Sequence, residues 1–194
     1  MKYEYWFAAL KGIPAKDKLY IRNKVCSAKE IFEMDDAGLE EIGVFEKFRK
    51  IISRQDSTRD FEDYERMLEK KISFVTMMDT HYPSKLRKIP SQPYALYYKG
   101  ILPDENKKAI SIVGARSCTA YGCQMAKEFA RVLAEQEIQI ISGMALGIDG
   151  AGQKGALEAG GNSFAVLGCG VDICYPREHF SLYQNLEKQG GILS

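Results

Sequence analysis

Long apolar runs are missing from this 194-residue sequence. None approaches the roughly 18 residues that a membrane-spanning helix needs. The opening MKYEYWFAALKG likewise lacks an apolar stretch followed by a cleavage site. Both absences predict a cytoplasmic chain with no membrane partner. Charge of one sign is scarce too: 27 Lys and Arg stand against 26 Asp and Glu, a net charge of +1. A protein that held nucleic acid by bulk charge would be more basic, so any phosphate binding must be focused on a few groups. Residues 110–194 carry 6 basic against 8 acidic side chains, and residues 1–109 carry 21 against 18. Within the more acidic half, Arg116 is therefore informative.

Chemistry-bearing motifs are sparse as well. The five cysteines are an odd number and are scattered, which is no disulfide framework, so reduced thiols are expected. The only histidines, His81 and His179, lie far apart without a Ser or Cys arranged as a nucleophile. This argues against a catalytic histidine, and His179 reads as the start of a helix. A dinucleotide fingerprint needs G-x-G-x-x-G, but Gly168 and Gly170 are followed by Ile173 where the third glycine belongs, which disfavours NAD. No G-x-x-x-x-G-K-[ST] occurs, so a P-loop nucleotide hydrolase is unsupported. Internal repeats and low-complexity segments are not evident, and no cofactor is called for.

With 45% hydrophobic residues, the chain has enough apolar side chain for a substantial core. From Tyr3 to about Leu68 the apolar residues recur at helical spacing, and Gly12-Ile13-Pro14, Ser27 and Asp35-Asp36 supply stop and cap signals. Four or five short helices packed as a bundle over residues 1–68 follow from this. Strands are expected at ISFVTM (72–77) and YALYYKG (94–100). In the second of these, Tyr94, Tyr97 and Tyr98 favour core packing over base stacking.

After Lys108 strand and helix alternate: ISIVG, a helix from about Gly122 to Glu135, IQIISG, a helix from about Asp149 to Ala159, SFAVLG, and a helix from about His179 to Lys188. Residues 69–194 are thus expected to form an α/β, Rossmann-like, three-layer α/β/α domain with a mostly parallel sheet, its loops at the C-terminal strand ends forming one face. GGILS, at 190–194, reads as the start of one more strand, and an incomplete sheet would leave a bare edge there that favours self-association.

Three turns should line that face: Gly114-Ala115-Arg116, then Ser142-Gly143 through Gly147-Ile148-Asp149, then Gly168-Cys169-Gly170-Val171-Asp172. Glycines let the backbone approach a bound group, unpaired N–H groups at a helix start attract anions, and Arg116 can fork two N–H bonds onto phosphate oxygens. Asp149 favours the role of helix N-cap, with a catalytic or metal role as the sharper alternative. Cys118 and Cys123, with Cys169 and Cys174, would in principle meet a zinc ion, but reduced thiols explain them without metal.

The blocks THYPSKLRKIPSQPYALYYKG, SIVGARSCTAYG, ISGMALGIDGAGQKGALEAGG and FAVLGCGVDICYP, in this order, resemble the DNA-processing protein A family (DprA, also called Smf) from about Ile72 to Ser194. The helical N-terminus is similar to the small sterile-alpha-motif-like domain that many members carry. The resemblance implies a Rossmann-like domain that binds single-stranded DNA, protects incoming strands in natural transformation and loads RecA recombinase, without enzymatic turnover. It places the DNA contacts on Gly114, Ala115, Arg116, Ser142, Gly143, Gly147, Ile148 and Asp149, with Gly168 and Gly170 at the next strand end. Ala115 often appears as serine in relatives, and His179 replaces a common asparagine, a capping difference of little weight. Relatives continue past the point equivalent to Ser194 with further basic DNA contacts and a self-association surface, which makes this Rossmann-like domain incomplete and a homodimer an open expectation. Two other functions stay in view: an enzyme of the nucleoside-monophosphate-cleaving type, and a non-binding interaction module.

Overall fold

The computed structural model describes residues 1–54 and 57–194, in two compact units, Met1–Leu96 and Tyr97–Ser194. The division falls later than the expected boundary at 68/69. Residues 73–96 join the helices for a packing reason: Phe74 meets Tyr5 and Tyr64 edge-on, and Tyr94 meets Phe7 the same way, burying aromatic surface on the first helix.

The first unit contains α1 (Lys2–Ala9), α2 (Ala15–Arg22), α3 (Ala28–Glu33), α4 (Asp36–Glu41), α5 (Glu46–Arg54) and α6 (Ser57–Glu69), one helix more than the upper expectation. Local signals set their ends. Ser27 accepts the Glu30 N–H as the N-cap of α3, while the Glu30 carboxylate reaches back to accept the N–H of Cys26, the residue before the cap. Asp35 accepts the Gly38 N–H at 2.8 Å and starts α4.

Two glycine turns in this unit share their backbone geometry. Gly12 and Gly43 both have left-handed φ, at 86° and 83°, and each is followed by a buried apolar residue, Ile13 or Val44. The helices α2 and α5 then begin at the same offset. A Cβ on Gly12 would lie 3.1 Å from Ile51, and one on Gly43 would lie 3.1 Å from the Tyr20 hydroxyl. Tyr20 on α2 and Ile51 on α5 each stand eight residues after their glycine, so each turn lies against the helix that follows the other turn. The likeness lies in backbone geometry and burial rather than in side-chain identity.

The strands are β1 (Ser73–Thr76), β2 (Ala95–Gly100), β3 (Ala109–Ser111), β4 (Gln139–Ser142), β5 (Ser163–Val166) and β6 (Gly190–Leu193), and in the second unit they lie in the order β2-β6-β5-β4-β3. Within the second unit, Tyr98, Lys99 and Gly100 of β2 pair with β6. β3, β4, β5 and β6 are parallel, and β2 is antiparallel to β6. The chain is thus α/β and Rossmann-like with a mostly parallel sheet, following an all-helical N-terminal part.

Three crossover helices, α7 (Ala120–Glu135), α8 (Ile148–Glu158) and α9 (Phe180–Gln189), connect the parallel strands. Ala130 and Ala134 of α7, Ile140 of β4 and Ala156 of α8 form a buried cluster with Ile112 packed on it. Small residues let α7 and α8 approach closely. A Cβ on Gly155 would sit 2.2 Å from the Lys127 carbonyl oxygen.

The GGILS segment is not an edge. β6 is buried along its whole length between β2 and β5, so the bare edge expected there does not exist. Among the parallel strands the outer position belongs to β3 instead, because each successive crossover carried the chain further from it.

Candidate functional site

The C-terminal ends of β3, β4 and β5 meet around a cavity of about 440 Å³. Arg116 lines it from the turn after β3, Gly143, Ala145 and Leu146 from the turn after β4, and Leu167, Gly168 and Cys169 from the turn after β5. Tyr175 and Pro176 close the remaining side. Arg116 is the only charged group among these residues. It is exposed and has no hydrogen bond or ion pair among the described residues.

Asp149 builds the site from beneath. Its carboxylate accepts the Gly114 N–H on one oxygen and the Gly143 N–H on the other, both at 3.1 Å. One buried side chain thereby ties the end of β3 to the end of β4. The expected role as N-cap is corrected: Gly147 occupies that position, and Asp149 lies inside the first turn of α8. A carboxylate that receives two N–H groups is better satisfied there than at a single cap.

The turn after β3 rests on α8. The Ile148 N–H donates to the Ala115 carbonyl at 3.3 Å. Gly147 has φ of 79°, and a Cβ there would lie 2.2 Å from the Ala115 carbonyl oxygen and 2.6 Å from that of Arg116. Only glycine fits both the left-handed backbone and the close approach. Ser142 is buried and donates to the Ile112 carbonyl at 2.6 Å, which locks β4 to the end of β3.

Of the residues named from sequence, Arg116, Gly143 and Gly168 line the cavity. Gly114, Ala115, Ser142, Gly147, Ile148 and Asp149 form the frame that holds those turns together. Gly170 is outside the lining, in a tight turn whose Ile173 N–H donates to the Gly170 carbonyl at 2.9 Å. Leu146 lies inside the expected turn from Ser142 to Asp149, whereas Leu167 and Tyr175 lie outside the expected turns. Tyr175, at 64% exposure, had a signal in the YP pair that follows the turn after β5.

The cysteines differ from expectation. Cys118 and Cys123 are joined by a disulfide with Cα atoms 6.3 Å apart, which straps the loop after Arg116 to the first turn of α7. That loop is brought back on itself by Thr119, which accepts the Gly122 N–H at 3.0 Å and caps α7. Cys169 and Cys174 are free thiols, and burial, with Cys169 beside it, pushes the Cys174 thiol up. No group of three or more His, Cys, Asp and Glu is placed to hold a metal ion among the described residues. Also among the described residues, no helix is long and apolar enough to cross a membrane.

The chain is similar to Protein Smf of Synechocystis, 34% identical over 149 residues that make up 75% of this chain and 37% of that protein. It is 29% identical to Protein Smf of Borreliella burgdorferi over 94% of this chain and 57% of the relative. The chain thus spans little more than a third to somewhat over half the length of these curated relatives. Among solved structures, the DNA processing protein A of Streptococcus pneumoniae matches all of this chain and 67% of its own, with a TM-score of 0.68 and 25% identity. The Helicobacter pylori DNA processing protein A, solved for its single-stranded DNA binding mode, matches 63% of this chain and 55% of its own, with a TM-score of 0.53 and 28% identity. The family model for DNA recombination-mediator protein A matches residues 73–194, well over half of the sequence and all of the region that builds the cavity. The chain belongs to the DNA recombination-mediator protein A family, whose members are DNA-processing proteins of the DprA and Smf type.

Proposed function

We propose that this chain binds single-stranded DNA at the cavity formed by the ends of β3, β4 and β5, with Arg116 as the phosphate-binding group. The observation that carries the reading is the placement of Arg116: one exposed, unpaired guanidinium on the rim of a cavity otherwise built of backbone, small and apolar groups. Such a site offers a forked donor to a phosphate and an apolar floor to a sugar or base. Exposed Tyr175 adds a ring face for stacking. The single-stranded DNA binding of the Helicobacter pylori relative supports the same assignment.

The role follows the family. The chain acts in the cytoplasm in DNA uptake, protects incoming strands during natural transformation and helps load RecA recombinase, without catalytic turnover of its own. It forms a homodimer, a reading supported by the exposure of Ile110 on outermost β3 and of Val113 just beyond it. Light scattering on the purified chain tests the dimer, and a strictly monomeric species at high concentration ends that part.

The competing enzyme reading draws on the cavity's volume, which suits a nucleotide-sized ligand. Fluorescence polarisation with labelled oligo-dT, duplex DNA and nucleoside monophosphate competitors separates the two. Preferential binding of oligo-dT is expected. Tight binding of a monophosphate with release of free base would replace the DNA reading with the enzymatic one. Co-precipitation of RecA with the chain, with and without oligo-dT, tests the partner.

A further inference from the structure

The turn after β4 supplies two walls of the cavity, Ala145 and Leu146, and it begins with an unusual backbone. Met144 is fully buried and has φ of 57°, in the left-handed region that side-chain-bearing residues seldom occupy. Such a conformation persists only where the surroundings over-determine it. One polar partner in those surroundings is His179.

His179 ends the short 3-10 turn Arg177–His179, between the loop after β5 and α9. Its ring is buried, and Nδ1 lies 2.9 Å from the Met144 carbonyl oxygen, across 35 residues of sequence. A carbonyl only accepts, so the proton sits on Nδ1 and the tautomer is set by this contact. The ring's Cε1, next to Nδ1, lies against the start of α8, where a Cβ on Gly150 would come within 2.2 Å of it. The Gly150 N–H in turn donates to the Ala145 carbonyl at 3.1 Å. The ring is therefore wedged between the two ends of the segment that carries Ala145 and Leu146.

We propose that His179 is a positioning residue of the DNA cavity: its Nδ1–H holds the Met144 carbonyl, fixing the left-handed turn that sets Ala145 and Leu146 opposite Arg116. The inference rests on the reading of the cavity as a single-stranded DNA site and goes beyond it, since His179 is absent from the cavity lining. It also explains why Gly150 has no side chain: the ring occupies that space. The sequence-based expectation that His179 carries little functional weight concerned only its place at a helix start.

Three variants of the full chain test the proposal, His179→Ala, His179→Asn and His179→Gln, each measured for oligo-dT affinity by polarisation and for amide exchange at Gly150. The Asn side chain places an N–H donor where Nδ1 stands, whereas Gln places it one bond further out. His179→Ala is expected to weaken oligo-dT binding roughly 3- to 10-fold, the range for one lost neutral hydrogen bond, and to speed exchange at Gly150. His179→Asn restores both toward the parent protein, and His179→Gln does not. Asn no better than Gln in either measurement would overturn the role of the Nδ1 contact. Faster exchange with unchanged oligo-dT affinity would show that His179 steadies the turn without positioning the site, which also overturns the proposal. Should His179→Ala fail to fold, the Asn–Gln contrast still decides. Failure of the parent chain to bind oligo-dT would sink the DNA reading separately, and exchange at Gly150 would then decide alone whether His179 holds the turn.

Discussion

Arg116→Ala isolates the phosphate-binding group from the fold. The side chain is exposed and unpaired among the described residues, so its removal breaks no hydrogen bond or ion pair there. Stability should stay within about 0.5 kcal/mol of the parent, as for surface substitutions away from special features. Binding should not. A hydrogen bond to a charged group is worth about 1.5–3 kcal/mol, which corresponds to roughly a 10- to 150-fold loss of affinity. Since no other charged side chain lines the cavity, no neighbour is placed to take over the phosphate. The loss should also flatten the log–log salt dependence by about 0.7 for the one phosphate released. Polarisation of labelled oligo-dT at several salt concentrations reads both quantities, and thermal melting controls for unfolding. Arg116→Lys keeps the charge but loses the planar fork, so it should retain the salt slope while recovering only part of the affinity. Unchanged oligo-dT affinity together with unchanged melting would refute the reasoning and remove Arg116 from the site.

Other expectations follow from charge, burial and close contact. With a net charge of +1, the chain should show a shallow salt dependence for oligo-dT, and a slope steeper than about −5 would require an extended basic track. Asp149→Asn leaves one of the Gly114 and Gly143 N–H groups facing an amide donor, at a cost of about 1–3 kcal/mol, so its melting temperature should fall; an unchanged value would contradict the tie between the strand ends. Gly147→Ala combines a left-handed backbone with a Cβ 2.2 Å from the Ala115 carbonyl, so a loss of roughly 1–3 kcal/mol is expected in denaturant unfolding. In the first unit, burial pushes the Lys18 ammonium down from 10.5 to about 8. Between these values the unfolded chain binds more protons than the folded one, so the Lys18 contribution to stability rises with pH from about 8 to 10.5 and is flat below. Relative to Lys18→Met, the parent should gain on the order of 1–3 kcal/mol across that window, and a pH-independent difference would refute the burial argument.

What the sequence by itself determined are the features that local chemistry controls. Caps such as Ser27 and Asp35 act over three residues, and the alternation after Lys108 reflects periodicities of a strand and a helix, so both are written in adjacent residues. The same holds for the glycine turns and for Arg116, because each stands directly after an apolar strand. Tertiary structure decided everything that depends on which strand lies beside which. GGILS reads as an edge when the chain is taken in order, yet β2 returns antiparallel to cover it, and the outer position passes to β3. Asp149 reads as a cap from its own helix, but its two oxygens serve Gly114 and Gly143 on different turns. His179 has no nearby residue to suggest its work, because Met144 and Gly150 reach it only once the loops after β4 and β5 are brought side by side. Interactions within a turn of the backbone are selected where the chain is already in contact with itself. Those that close the cavity join segments tens of residues apart, and no spacing along the sequence encodes their distance in space.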